Sequence, residues 1–234
     1  MNSMARFTPS VFYGILILLS LTCFAQQEMN PVLLKFPEVF NNPAGMINGR
    51  KNTFNYPAAS GTPYFMKSGQ ANPELVTITG TYDSILLKYD LLNDMLLLGY
   101  EDNAGMEEIQ LNRDIVTGFT LFGSVFVHLN ETGILPEGYY EKLYDGRIRL
   151  FKKYTKTLSA KSGPVQYEYR DNIQKLLIRE HHAYKITNKS SLLKALNDKQ
   201  KEVNNYLKEN HIMVNHATDA ELIRVIKYYE SLLP

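Results

Sequence analysis

Histidine is the first side chain in this sequence to weigh for chemistry, because five imidazoles are enough to build a metal site. Their spacing argues against one. His181 and His182 are adjacent, and on a strand neighbouring side chains point to opposite faces, so the pair would not share an ion. His211 and His216 straddle a predicted loop at a separation that matches no helical face. His128 and Glu131 stand at a strand end followed by Gly133, without the helix that a metal-binding His and carboxylate at that spacing require. All five read as solvated or structurally hydrogen-bonded histidines, and neither a metal nor another cofactor is expected.

The acids are just as dispersed. Glu101, Asp102, Glu107 and Glu108 bracket a glycine-containing turn and could crowd oxygens around calcium, but the alternating acids and central glycine of a calcium loop are missing. Asp83, Asp90 and Asp94 could furnish the two carboxylates that glycoside cleavage needs. A β protein carrying 24 acids offers such pairs by chance. There is no Gly-x-Ser-x-Gly elbow and no glycine-rich phosphate loop after a strand. Cys23 is the single cysteine, which removes disulfides and zinc-thiolate sites once a leader is cleaved behind it.

One charge feature remains, the run Arg147, Arg149, Lys152, Lys153 and Lys156. Strand alternation places Arg147, Arg149 and Lys153 on one face around Phe151, and Ile148, Leu150 and Tyr154 on the other with Lys152. The plain reading is a core-facing row backed by a solvated basic row, with lysines guarding the strand against edge pairing. The functional reading is an interaction surface of Arg147, Arg149 and Lys153, with Tyr139 and Tyr140 on the neighbouring strand, for anionic lipid, polysaccharide or an acidic protein. The tyrosines also fit cross-strand pairing.

The location of any such partner is set by the start of the chain. Met1–Arg6 is short and basic, Val11–Leu21 is apolar, and Cys23-Phe24-Ala25 approximates a small-residue cleavage site. The apolar run of 11 residues is too short for a membrane span of about 20, so residues 1–25 read as a signal peptide cut after Ala25, with lipidation at Cys23 set aside. The mature chain then has no transmembrane span. Its charge falls from +1 to about zero on losing Arg6, which gives no electrostatic bias toward nucleic acid. The protein is expected outside the cytoplasm, in the periplasm or on the outer membrane.

The elements that position these residues follow from periodicity. Residues 26–72 are broken by Asn41-Asn42-Pro43-Ala44-Gly45, Asn48-Gly49, Tyr56-Pro57 and Gly61-Thr62-Pro63, and read as an extended arm with Val32-Leu33-Leu34 and Tyr64-Phe65 as anchors. From Leu75 alternation takes over. It predicts strands at Leu75–Thr79, Ile85–Asp90, Met95–Tyr100, Glu107–Leu111, Val116–Leu121, Ser124–Leu129, Tyr139–Tyr144, Arg147–Thr155, Gln166–Arg170, Gln174–Arg179 and Ala183–Ile186. Asp145-Gly146 is the strongest two-residue hairpin signal, through a glycine at positive φ. Asp171-Asn172 is read as a turn. Beyond Asn188 the period is helical, with three helices expected: one capped by Asn197 with Gln200 in a capping box, another by Thr218 with Glu221. The fold class is α+β, an antiparallel meander of hairpins over 73–187 with a helical segment over 188–234 packed on it.

The order Leu87-Lys88-Tyr89-Asp90-Leu91, Asn93-Asp94, Gly138-Tyr139-Tyr140-Glu141-Lys142-Leu143-Tyr144-Asp145-Gly146 and Tyr228-Tyr229-Glu230-Ser231-Leu232 resembles an uncharacterised family of exported, signal-peptide-bearing proteins of Bacteroidota. The resemblance implies envelope localisation and a β-rich body, and supplies no catalytic residue. Two functions are therefore expected to compete: a non-catalytic binding module or accessory subunit of an outer-membrane complex with a protein partner in the envelope, and a secreted hydrolase of glycan or peptide.

Overall fold

Alternation is realised as two antiparallel sheets. The computed structural model describes residues 47–51, 59–66, 72–102, 105–129, 135–161 and 167–234. The expected leader and most of the expected arm, with its Val32-Leu33-Leu34 anchor, lie outside the described residues. A four-stranded sheet runs in the order β1 (Ile47–Lys51), β7 (Gly105–Leu111), β6 (Met95–Asp102), β5 (Leu86–Asp90). The longer sheet runs β13 (His182–Ile186), β12 (Tyr167–Arg179), β11 (Ile148–Ala160), β10 (Gly138–Asp145), β9 (Ser124–Leu129), β8 (Val116–Leu121), β3 (Glu74–Thr77), β4 (Gly80–Asp83). A short β2 (Ala59–Ser60) pairs in parallel with the start of β12. Helices α1 (Lys189–Ala195), α2 (Gln200–Glu209) and α3 (Asp219–Ser231) close the chain. The architecture is α+β.

Two large cores and one small cluster, Tyr140, Phe151, Leu176 and Ile178, follow from the strand faces. The inner residues of the small sheet (Leu87, Tyr89, Leu96, Leu98, Leu111) pack with Leu75, Phe119, Leu121, Phe126, Tyr139 and Tyr154 of the long one. Phe65, from the expected arm, is buried at the centre of this cluster. It is held there by Phe65 N–H donating to the Tyr89 carbonyl and Leu91 N–H donating to the Pro63 carbonyl. The other core sits between Ile148, Leu150, Leu177 and Ile186 and the apolar stripes of the three helices. Those stripes are narrow, so the helices depend on this shared burial.

Several local expectations are corrected. The β10–β11 connection is a hairpin, yet Gly146 is absent from the positive-φ glycines and Asp145 pairs with Arg149, leaving a three-residue loop. The glycine is needed for space instead. A Cβ there would meet Glu230 Oε1 at 2.6 Å and the Tyr144 ring at 2.7 Å. Glu230 reaches from α3 to accept from Ile148 N–H (2.8 Å) and Tyr144 O–H (2.6 Å). The tight two-residue hairpin with two positive φ values is Phe122-Gly123, at 51° and 72°. Asp171-Asn172 is no turn: β12 runs straight through it, held extended by Lys156 against Asp171 (3.5 Å) and Asn172 Nδ2 donating to Thr155 Oγ1 (3.2 Å). Asn197 lies in a short 3-10 turn, and α2 starts from Lys199 without a side-chain cap. The capping boxes are Asn188 with Ser191 and, as expected, Thr218 with Glu221.

Candidate functional site

The turn between β5 and β6 positions the site. Asp90 builds it, accepting from Leu92 N–H (2.8 Å) and Asn93 N–H (3.1 Å) with Oδ1 and from Asn93 Nδ2 (2.8 Å) with Oδ2. The turn closes on Asp94 at φ +54°, a conformation that Asp tolerates better than most residues. Its carboxylate meets the long sheet. Oδ1 accepts from the Tyr89 hydroxyl at 2.5 Å and lies 2.9 Å from Lys153 Nζ. Lys153 also donates to the Tyr139 carbonyl at 3.0 Å and stands 4.8 Å from the Tyr140 ring centroid. A side chain at Gly138 would come within 2.3 Å of Asp94 Oδ2 and 2.7 Å of Lys153 Nζ, so this pair requires glycine beside it.

Arg113 completes the arrangement from the 3-10 turn Arg113–Ile115, which Asn112 caps through Asp114 N–H. One guanidinium nitrogen donates to the Asp94 carbonyl at 2.5 Å and lies 3.9 Å from Asp94 Oδ2. The other lies 4.0 Å from Glu137 Oε1, which His128 Nε2 approaches at 3.3 Å. Above these groups opens a cleft of about 380 Å³ lined mainly by Asn93, Asp94, Gln110, Asn112, Arg113, Asp114, Glu137 and Tyr139. Its walls offer amide, carboxylate and guanidinium groups, which suit a polar ligand. The acid and base equipment is already engaged. Asp94 Oδ1 is taken by Tyr89 and Lys153, which leaves that oxygen no free position for a reacting proton, while Oδ2 faces Arg113 at 3.9 Å.

Burial sets the proton affinities. It lowers the Lys153 ammonium below the ordinary lysine value, against the opposing pull of Asp94. It raises the Tyr89, Tyr139 and Tyr154 phenols, with Asp94 adding to the effect on Tyr89 and Glu141 to that on Tyr154. The Tyr140 phenol is pushed up to about 12 by burial and then by Asp94. Phenols that keep their protons in the fold stabilise it fully below pH 10, and that stability is lost as the pH rises, because the unfolded chain releases protons first. Lys153 acts oppositely and over a lower window, favouring the fold as pH rises toward the ordinary lysine value. The phenols outnumber it. Unfolding free energy is therefore expected to fall above pH 10 by about 1.4 kcal/mol per buried phenol per pH unit. Urea titrations at pH 8 and pH 11, with phenolate absorbance followed in parallel, check this. Equal stability at both values would refute it.

The residues singled out from sequence divide sharply. Lys153 is in the site, paired with Asp94. Tyr139 and Tyr140 are interior, 1% and 2% exposed, because each ring fills an apolar cluster. They cannot serve as an exposed aromatic face. Arg147 is at the surface, donating to the Pro234 carbonyl at 2.7 Å, and Arg149 is half-buried with its guanidinium 5.9 Å from the Phe151 ring. Lys152, on the inward row as alternation requires, ion-pairs with Asp219 of α3 and lies 3.9 Å from Glu141, which also accepts from Ser124 and Tyr154 at 2.6 Å each. Asp83 is exposed and Asp90 is consumed by its turn, so the three acids weighed for glycoside cleavage do not converge.

Of the calcium-loop acids, Glu108 pairs with Lys88 and accepts from Tyr64 at 3.3 Å, while Glu107 points to the opposite face. His181, His182, His211 and His216 are exposed, and Glu131 lies outside the described residues. Among the described residues no three His, Cys, Asp or Glu side chains gather as metal ligands would. Arg113 and Glu137 went unnoticed in the sequence, since nothing within a few residues of either marks them. No protein-family model, no curated protein and no solved structure matches this chain.

Proposed function

We propose that this chain is an exported cell-envelope protein that works by binding, as an interaction module or an accessory subunit of an outer-membrane complex. The observation that carries this reading is the mutual engagement of Asp94, Lys153, Arg113, Tyr89 and Glu137 beneath a polar cleft, which favours holding a polar group over transforming one. The apolar, basic-flanked start of the sequence supports export. Among the described residues no helix is long and apolar enough to cross a membrane. A hydrolase of glycan or peptide draws on Asp94, Asp114 and Glu137 in the lining of the cleft, but Arg113 stands between Asp94 and Glu137, 3.9 and 4.0 Å from their carboxylates, and holds both in ionic contact.

Arg147, in the β10–β11 loop, and Arg149, on β11, are the basic residues to vary in testing a protein, lipid or polysaccharide partner. Lys153 is excluded from that test, because its loss would report on folding. Tagged full-length chain recovered from detergent-solubilised envelopes of its native host is expected to bring down an envelope partner, and Arg147→Ser with Arg149→Ser to weaken that recovery at least about tenfold. A chain that purifies alone as a monomer, or one found unprocessed in the cytosol, would overturn the proposal.

A further inference from the structure

A second cleft, remote in sequence from Asp94, lies where α1 begins and α2 ends. It encloses about 560 Å³, within the range of about 300–1,000 Å³ that small ligands occupy. Its floor is apolar, formed by Leu207, Ile212 and Val214, and its rim carries Lys189, Lys208 and His211 with no acid among the lining residues. None of these three basic side chains is ion-paired among the described residues, where Lys88, Lys152, Lys153 and Lys175 all are. Met213, also in the lining, is 66% exposed, a flexible apolar side chain whose burial against a ligand would be favourable.

The backbone adds an independent observation. Helix α2 ends in a Schellman arrangement, with Ile212 N–H donating to the Leu207 carbonyl at 2.9 Å and His211 N–H to the Lys208 carbonyl at 3.1 Å. The left-handed position of this motif is ordinarily glycine. Here it is His211, at φ +53°. A ring that glycine would replace with less strain is thus held at the rim of an apolar cleft beside two lysines.

We propose that this cleft binds a single anionic amphiphile, an acyl chain lying on Ile212, Val214 and Met213 with its carboxylate among Lys189, Lys208 and His211. The apolar floor selects a hydrocarbon tail, and the rim of one charge sign selects an acidic head.

The test uses the full chain and laurate below its micelle concentration, with dodecyltrimethylammonium (same tail, opposite head) and acetate (same head, no tail) as comparators, followed by calorimetry. Saturable one-to-one binding of laurate, at least about tenfold tighter than the cationic analogue and with no binding of acetate, is expected. Lys189→Glu with Lys208→Glu should weaken it about tenfold or more, as should Met213→Asp. His211→Gly should raise the melting temperature yet weaken laurate binding, a combination that a purely structural histidine would not produce. Equal affinity for both head groups, non-saturating uptake, or affinity unchanged by these variants would overturn the proposal. So would sedimentation with phosphatidylglycerol vesicles in the absence of any binding of free laurate, which would mark a membrane-facing patch instead of a ligand cleft.

Discussion

Asp94→Ala is expected to destabilise the protein by about 3–5 kcal/mol, because it strands Lys153 in a buried position without its counter-ion. Lys153 keeps one hydrogen bond, to the Tyr139 carbonyl, which cannot replace a charge. Tyr89 loses its acceptor at the same time and retains only a long contact of 3.4 Å to that same carbonyl. The reverse change, Lys153→Met, should cost less, since Asp94 still faces Arg113 and Tyr89. The double variant should recover much of the loss of Asp94→Ala, as an apolar pair does in place of a buried ionic one. Urea denaturation of the four proteins measures the cycle. A loss below about 1 kcal/mol for Asp94→Ala would mean that Lys153 finds water or another partner.

Phe126→Ala should be comparably severe, at about 3–5 kcal/mol, and for a different reason. Phe126 is 1% exposed and sits among four aromatic rings: stacked on Phe119 at 4.6 Å, edge-on to Phe65 at 5.1 Å and Tyr89 at 5.4 Å, and tilted to Tyr154 at 6.1 Å. These rings come from both sheets and from the segment around Phe65, so the cavity left by alanine lies where three parts of the chain meet. Phe126→Leu keeps most of the volume and should cost about 1–2 kcal/mol. If both variants unfold at the same urea concentration, restoring the volume would have recovered nothing and the cluster would owe its stability to ring geometry instead.

The strands were legible because alternation is a local property. Val116–Leu121 and Ser124–Leu129 stand where periodicity puts them, and the same rule sets Lys152 and Lys153 on opposite faces of the basic strand, although Lys153 is covered by Asp94 and not solvated as its row was expected to be. Turn signals failed where long-range contacts overrode them. Asp171-Asn172 has turn chemistry, but its partners on the extended β11 hold it straight. Asp145-Gly146 has the signature of a tight hairpin, but the carboxylate of Glu230 claims the space beside that glycine. Thr218 and Glu221 form the box expected of them, whereas Asn197 is drawn into a 3-10 turn, where Arg179 donates to its side chain and to Asp198.

The site was hidden for a related reason. Asp94 was one of several unremarkable acids and Lys153 one of five clustered cations. Only the approach of the β5–β6 turn to β10 and β11 makes them a pair. A period of two assigns each residue to a face but carries no information about which distant residue that face will meet.

The carboxylate of Glu230 bears on the order in which the chain can become rigid. It holds Ile148 and Tyr144, positions that precede it by 82 and 86 residues. A polypeptide emerging amino end first, from a ribosome or through a translocation pore, presents the whole β10–β11 hairpin long before the group that fastens its loop. Until those last residues arrive the sheet is open at that corner, with Ile148 and Leu150 uncovered. Closure of that corner of the sheet therefore waits for α3, and a nascent chain stalled short of it would leave Ile148 and Leu150 exposed to a chaperone.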